Sequence, residues 1–290
     1  MRQLPLILLL IVAAGCASGV VDLPEGRQAD ELLVYRTAGE RVLKLHMFRP
    51  AATNQASPSP AILFFFGGGW NGGSPTQFYP QSEYFAKLGV VAICVEYRTY
   101  TSDATPPIVA LLDAKAAMRY VRSHAEDLKI DPKRIVASGA SAGGQLAAAL
   151  AVAHRIEDWD VDLSISTRPD ALILYNAVID NSPEGFANSR VEPYWEAFSP
   201  LHNIGNNHPP AIFFLGTDDQ HIPVRMAEAY KDAVEANGSR MDLHLYEGAS
   251  HGFFNKFRSL PYYEDTTRKA HAFLYELGFV AVAPPQQLMP

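Results

Sequence analysis

The amino-acid sequence predicts an α/β fold, a mostly parallel sheet flanked by helices on both faces, and two observations carry that reading. Short apolar runs alternate with helical stretches through most of the chain, which implies parallel strands joined by right-handed crossovers. Within that alternation, Gly139-Ala140-Ser141-Ala142-Gly143 stands between an apolar run and an alanine-rich helical pattern. A serine is thereby set between two glycines where a strand must turn sharply into a helix.

Each element follows in order. "LLVYRT" and "RVLKLHMFR" alternate like half-buried strands around Ala38-Gly39-Glu40, an antiparallel N-terminal hairpin. A loop rich in Ala, Ser, Asn and Pro runs from Pro50 to Pro60. The continuous apolar run "AILFFF" is a strand covered on both faces, ended by Gly67, Gly68 and Gly69. Thr76 to Leu88 reads as a helix, "VVAICVEY" as a strand, and Pro106 to Glu126 as a long helix. An approximate apolar stripe of Ile108, Leu111, Leu112, Ala116, Met118 and Val121 supports that helix. "RIVASG" is the next strand and Ser141 to Ala153 the next helix. "ALILYN", "AIFFLG" and "MDLHLYE" are later strands, with helices from Val224 to about Asn237 and from about Tyr262 to Leu277.

One connection breaks the rhythm. Residues 177–210 form an insert too long for a plain crossover, and such segments are usually functional or disordered. Its Tyr194 and Trp195 are candidates for lining a substrate cleft, as is Trp70; packing of the insert onto the body is the competing expectation.

Composition narrows the function. A 48% hydrophobic share with 19% charged residues suits a packed globular domain. The net charge of -7 comes from scattered acids without a basic patch, which excludes nucleic acid as a partner. The first residues, "MRQLPLILLLIVAAGCASG", have the layout of a bacterial export signal. Their apolar run is shorter than the roughly 20 residues that span a bilayer. Residues 1–15 are therefore expected to be a signal peptide, 16–30 a tether, 31–280 the catalytic domain and 281–290 a tail. Ala13-Ala14-Gly15-Cys16 resembles a lipobox, so Cys16 is expected to carry lipid and attach the protein to a membrane; an ordinary signal cut nearby is the alternative. By the same resemblance, Ala17 favours the outer membrane, and an exported protein of the outer membrane or periplasm is expected. That leaves Cys94 as a lone apolar packer, and neither it nor the histidines show metal-ligand spacing, so no metal and no cofactor is expected.

The chemistry lies at the carboxyl ends of the strands. Gly-x-Ser-x-Gly between strand and helix predicts a nucleophile elbow at Ser141. An activated serine needs a base, and the base an orienting acid. His251 follows one later strand, and Asp218 and Asp219 follow another, in the chain order Ser, Asp, His. His221 is a rival base, and capping the next helix is the competing job for the aspartates, more so for Asp218. Consecutive glycines let backbone N–H groups approach a developing negative charge, so Gly68 and Gly69, with the N–H of Ala142, form the expected oxyanion hole.

Together, Gly67-Gly68-Gly69-Trp70, Gly139-Ala140-Ser141-Ala142-Gly143-Gly144, Gly216-Thr217-Asp218-Asp219 and Ser250-His251-Gly252-Phe253 resemble the α/β-hydrolase fold, over about Leu32 to Phe279. The resemblance is to the bacterial esterases grouped with hormone-sensitive lipase and with the feruloyl/acetyl-xylan carbohydrate esterases. It implies Ser141, Asp219 and His251 as the catalytic residues, Asp219 being the last residue of the Gly-Thr-x-Asp pattern. It further implies a serine carboxylic-ester hydrolase acting through an acyl-enzyme on short acyl esters, small molecules or acetylated polysaccharides such as xylan. A dipeptidyl-peptidase-like aminopeptidase and a catalytically silent surface binding protein are the alternatives. In one respect the sequence departs from the pattern: Phe66 stands where the family's glycine run begins with histidine, a loop-positioning residue. Ala140, where many lipase-like relatives have Asp, points toward the carbohydrate-esterase branch.

Overall fold

A computed structural model describes residues 27–51 and 57–286. The expected signal segment, Cys16 and most of the tether lie outside the described residues. Strands β1 (Glu31–Ala38) and β2 (Arg41–Phe48) form the hairpin, followed by β3 (Ser59–Phe65), β4 (Val91–Val95), β5 (Ile130–Ala140), β6 (Ala171–Tyr175), β7 (Ala211–Gly216) and β8 (Met241–Tyr246). The longer helices are α1 (Tyr79–Lys87), α2 (Pro107–Ser123), α3 (Ala142–Val152), α4 (Val224–Ala236) and α5 (Leu260–Glu276). All strands join one eight-stranded sheet in the order β1-β2-β4-β3-β5-β6-β7-β8. β2 is antiparallel to β1 and β4, while β3 to β8 run parallel.

Both faces of the sheet are covered. Phe85 of α1 and Phe273 of α5 pack with Phe64 and Ile173 on one side. Met118 of α2, Leu146 of α3 and Tyr230 of α4 pack with Leu63 and Leu174 on the other. Alternate residues of each central strand therefore enter different cores, and every residue of β3 is buried. Full burial of one such aliphatic or aromatic side chain contributes about 1.5–3 kcal/mol, which is why these runs are unbroken by polar residues. α3 is likewise buried along its whole length, and its alanines let it sit directly against the sheet.

α2 departs from the simple stripe. Ile108, Leu112 and Ala116 are only partly buried, whereas Asp113 and Lys115 are sealed off from solvent. Buried charges require partners, and both have them. The Arg98 guanidinium forks onto Asp113 at 2.9 and 2.8 Å. Lys115 Nζ donates to the Ala153 carbonyl and to Glu157, each at 2.7 Å.

The long insert is ordered. Helical turns at Asn188–Val191 and Trp195–Phe198 lie in it, and Val191 and Phe198 are fully buried against the body. Among the described residues, no helix is long and apolar enough to cross a membrane, and no cluster of His, Cys, Asp and Glu is placed to hold a metal ion. Cys94 is buried beside Ser82 Oγ at 3.1 Å, and burial pushes its thiol pKa up to about 12.

Candidate active site

Parallel strands deliver their carboxyl ends to one edge of the sheet, where the chain after β5, β7 and β8 meets. Ser141 follows β5 with φ 53° and ψ −119°, a backbone conformation that a residue with a Cβ rarely adopts. The elbow is pinned by its neighbours. Ser141 N–H donates to the Tyr175 carbonyl at 3.0 Å, and the Ser141 carbonyl accepts from Gln145 and Val178 N–H at 3.0 Å. Gly143 allows the turn to seat, since a Cβ there would lie 2.1 Å from the Phe65 carbonyl oxygen.

Asp219 and His251 are joined directly: Nδ1 lies 2.7 Å from Oδ2. The other carboxylate oxygen accepts the N–H groups of His221 at 2.8 Å and Ile222 at 3.0 Å. Burial raises the carboxyl's pKa; the bonds from His251 and the two amides outweigh it and hold the pKa below the usual value. Because an ionised carboxylate only accepts, the His251 proton sits on Nδ1. Nε2 is left as the basic atom, facing Asn176 Nδ2 at 3.3 Å. Asp218 is exposed and does not cap α4, whose N-cap is Pro223; Asp219 itself collects the local N–H groups. The rival His221 ring packs edge-on to His251 with centroids 4.8 Å apart, and among the described residues no carboxylate orients it.

Ser141, His251, His221, Asn176, Gly68 and Gly69 line one cleft of about 320 Å³, with Phe186 and Phe254 as apolar walls. Gly68 has φ 131°, and a Cβ on it would lie 2.2 Å from the Gly72 carbonyl oxygen, so only glycine fits this loop. The N–H groups of Gly68, Gly69 and Ala142 have no acceptor among the described residues. Donors left free around a cleft that holds a serine and a histidine are what a tetrahedral oxyanion needs.

The aromatic candidates lie elsewhere. Trp70 is fully buried against Phe186 and Phe198, so it supports the glycine loop from behind and cannot touch a substrate. The Tyr194 hydroxyl is engaged with Ile108 N–H and the Arg190 carbonyl, each at 3.3 Å. Trp195 stands edge-on to His202. Tyr194 and Trp195 border a separate surface hollow with Arg155, Glu192 and Glu196, and neither lines the serine cleft. Periodicity says nothing about which face of an irregular insert turns inward. The insert does reach the site through residues that composition did not single out: Phe186 walls the cleft, and Arg190 donates to the Gly69 carbonyl while stacking on Trp70. Asn176, one residue past β6, was marked in the sequence only by its place at the carboxyl end of "ALILYN".

With serine, histidine and aspartate gathered at the carboxyl edge of a parallel eight-stranded sheet, the architecture is that of an α/β-hydrolase. A BD-FAE family model matches residues 45–188, and a dienelactone hydrolase family model matches residues 176–284. Among solved structures, Thermogutta terrifontis esterase 2 phosphoramylated by tabun is similar, with 41% identity, a TM-score of 0.85, and coverage of 89% of this chain and 98% of that one. A propionate-bound and a butyrate-bound form of the same esterase match at 40% identity and a TM-score of 0.83, covering 88% and 87% of this chain and 96% of each of theirs. A probable isoprenylcysteine alpha-carbonyl methylesterase of Arabidopsis thaliana is 25% identical over 72% of this chain and 48% of its own length. The acetylxylan esterase of Xylanibacter ruminicola is 27% identical over 67% of this chain and 41% of its own length. The chain thus spans about half the length of the first curated relatives it matches. It belongs to the α/β-hydrolase serine esterases.

Proposed function

We propose that this protein hydrolyses carboxylic esters through an acyl-enzyme on Ser141. The observation that carries the reading is the Asp219–His251 pair at 2.7 Å, which engages Nδ1 and leaves Nε2 to serve the cleft that also holds the strained serine. In the first half-reaction His251 Nε2 takes the Ser141 hydroxyl proton as Oγ bonds to the ester carbonyl carbon. The carbonyl oxygen becomes an oxyanion facing the N–H groups of Gly68, Gly69 and Ala142. As the carbonyl reforms, the bond to the alkoxy oxygen breaks, and the imidazolium returns its proton to the leaving alcohol. Water then repeats the sequence on the acyl-enzyme: it loses a proton to His251, attacks, and Ser141 Oγ leaves and is reprotonated.

The propionate- and butyrate-bound forms of a similar esterase support short acyl groups as the substrate class. Similarity to an acetylxylan esterase supports acetylated polysaccharide as one substrate. A deep acyl channel would add about 0.8 kcal/mol per buried methylene. The expected result is therefore p-nitrophenyl ester kcat/KM highest at acetyl to butyryl and falling by octanoyl, with acetate released from acetylated xylan. A steady rise from C2 to C8 would overturn the short-acyl reading.

Export and lipid anchoring through Cys16 complete the proposal. The supporting feature is the Ala13-Ala14-Gly15-Cys16 pattern behind an apolar run. Cys16→Ala is expected to move the protein from the membrane fraction to the soluble one. A wild-type mature chain whose intact mass shows no lipid contradicts the anchor.

A further inference from the structure

The glycine loop after β3 and the histidine loop after β8 have no reason from the chain itself to keep a fixed separation, yet ester hydrolysis needs the oxyanion donors and the base at one carbonyl. Two side chains span the gap. Gly67 N–H donates to Gln77 Oε1 at 2.7 Å. Gln77 Nε2 donates to Asn255 Oδ1 at 3.0 Å, and Asn255 Nδ2 donates to the Gly252 carbonyl at 2.8 Å, next to His251. Both amides line the cleft, and each uses one donor and one acceptor in a single directional chain. Each loop is also braced from its own side. The Tyr97 hydroxyl donates to the Phe66 carbonyl at 2.6 Å while the two rings stack, and Arg258 donates to the His251 carbonyl at 2.8 Å. The first brace ties the glycine loop to the segment just after β4, and the second holds the histidine loop's own turn; among the described residues, the hydrogen-bonded link between the two loops through side chains lining the cleft is the amide chain.

We infer that Gln77 and Asn255 are positioning residues that lock the oxyanion loop to the histidine loop. The inference rests on the serine-esterase reading. Neither amide transfers a proton or meets the reacting atoms. Their contribution is to alignment, and misplacement of a catalytic group by a fraction of a bond length lowers the rate without loosening substrate binding.

A double-mutant cycle on p-nitrophenyl acetate tests it. Gln77→Met keeps the length and bulk of the side chain but neither makes nor accepts the bonds; Asn255→Ala removes the far half. Each single variant is expected to lower kcat by about tenfold, a barrier change near 1.4 kcal/mol, with KM nearly unchanged. Because both break the same link, the double variant is expected to lose about tenfold as well, not the roughly hundredfold of independent sites. Additive losses, a change confined to KM, or unchanged kcat in either single variant would overturn the inference. If Gln77→Met fails to fold, the half-exposed Asn255→Ala and Asn255→Asp carry the test alone: Asp keeps the acceptor for Gln77, so it is expected to recover part of the kcat that Ala loses, and equal loss in both overturns the inference. Active wild type with inactive Ser141→Ala preserves the esterase reading whatever the cycle shows.

Discussion

Ser141→Ala is expected to remove ester hydrolysis almost completely, lowering kcat by about 10⁶, the order found when the nucleophile is deleted from a serine hydrolase triad. Stability should hardly change, because alanine keeps the Cβ and therefore the same backbone strain at φ 53°. Ser141→Gly separates the two effects. Glycine adopts this conformation readily, so relief of strain, offset in part by glycine's larger unfolded-state freedom, is expected to stabilise the fold by about 1 kcal/mol. That variant should be as inactive as the alanine form and melt at a higher temperature. Substantial turnover by either variant, measured on protein free of contaminating esterase, would remove Ser141 from the mechanism. A glycine variant that melts below the alanine one would show that the elbow stores no strain.

Asp219→Asn is expected to lower kcat by about 10⁴, as in a comparable triad, while Asp218→Asn leaves activity within a small factor of wild type. The geometry supplies the reason. One oxygen at position 219 must continue to accept the N–H groups of His221 and Ile222, so the new amide nitrogen faces His251 Nδ1. It donates where the carboxylate accepted, the imidazole proton moves to Nε2, and the base can no longer take the Ser141 proton. Asp218, exposed and making no bond to the triad, loses the same charge without that consequence. Greater damage from Asp218→Asn would reverse the assignment.

What the sequence could disclose about this site follows from which interactions are local. Ser141 was legible because an elbow needs small neighbours within two residues, and Gly139 and Gly143 leave a written trace. β4, β6 and β7 were legible because strands buried on both faces leave an unbroken apolar run, whereas the edge strand β8 was legible from its alternation of apolar and polar residues. Asp219 needed the resemblance, since two adjacent aspartates after one strand are equivalent until the loop's path is known. Gln77, Asn176, Arg190 and Asn255 were not legible: each acts through at least one contact with a residue distant in sequence, and no spacing rule encodes such a contact. That Trp70, Tyr194 and Trp195 lie away from the serine cleft was hidden for a different reason. An aromatic residue in an irregular segment has the same appearance whether it faces a ligand or, like Trp70, the core.

The chain order of the sheet's carboxyl edge has a temporal consequence. β5, β6, β7 and β8 lie side by side in the order in which they are synthesised, so the nucleophile takes its place early and the base arrives with the final strand and its loop. On the proposed mechanism, a nascent chain that already displays the elbow is chemically inert, because nothing activates the serine until β8 docks. Ester hydrolysis by nascent chains arrested at increasing length is therefore expected to appear only once β8 and the loop after it have emerged.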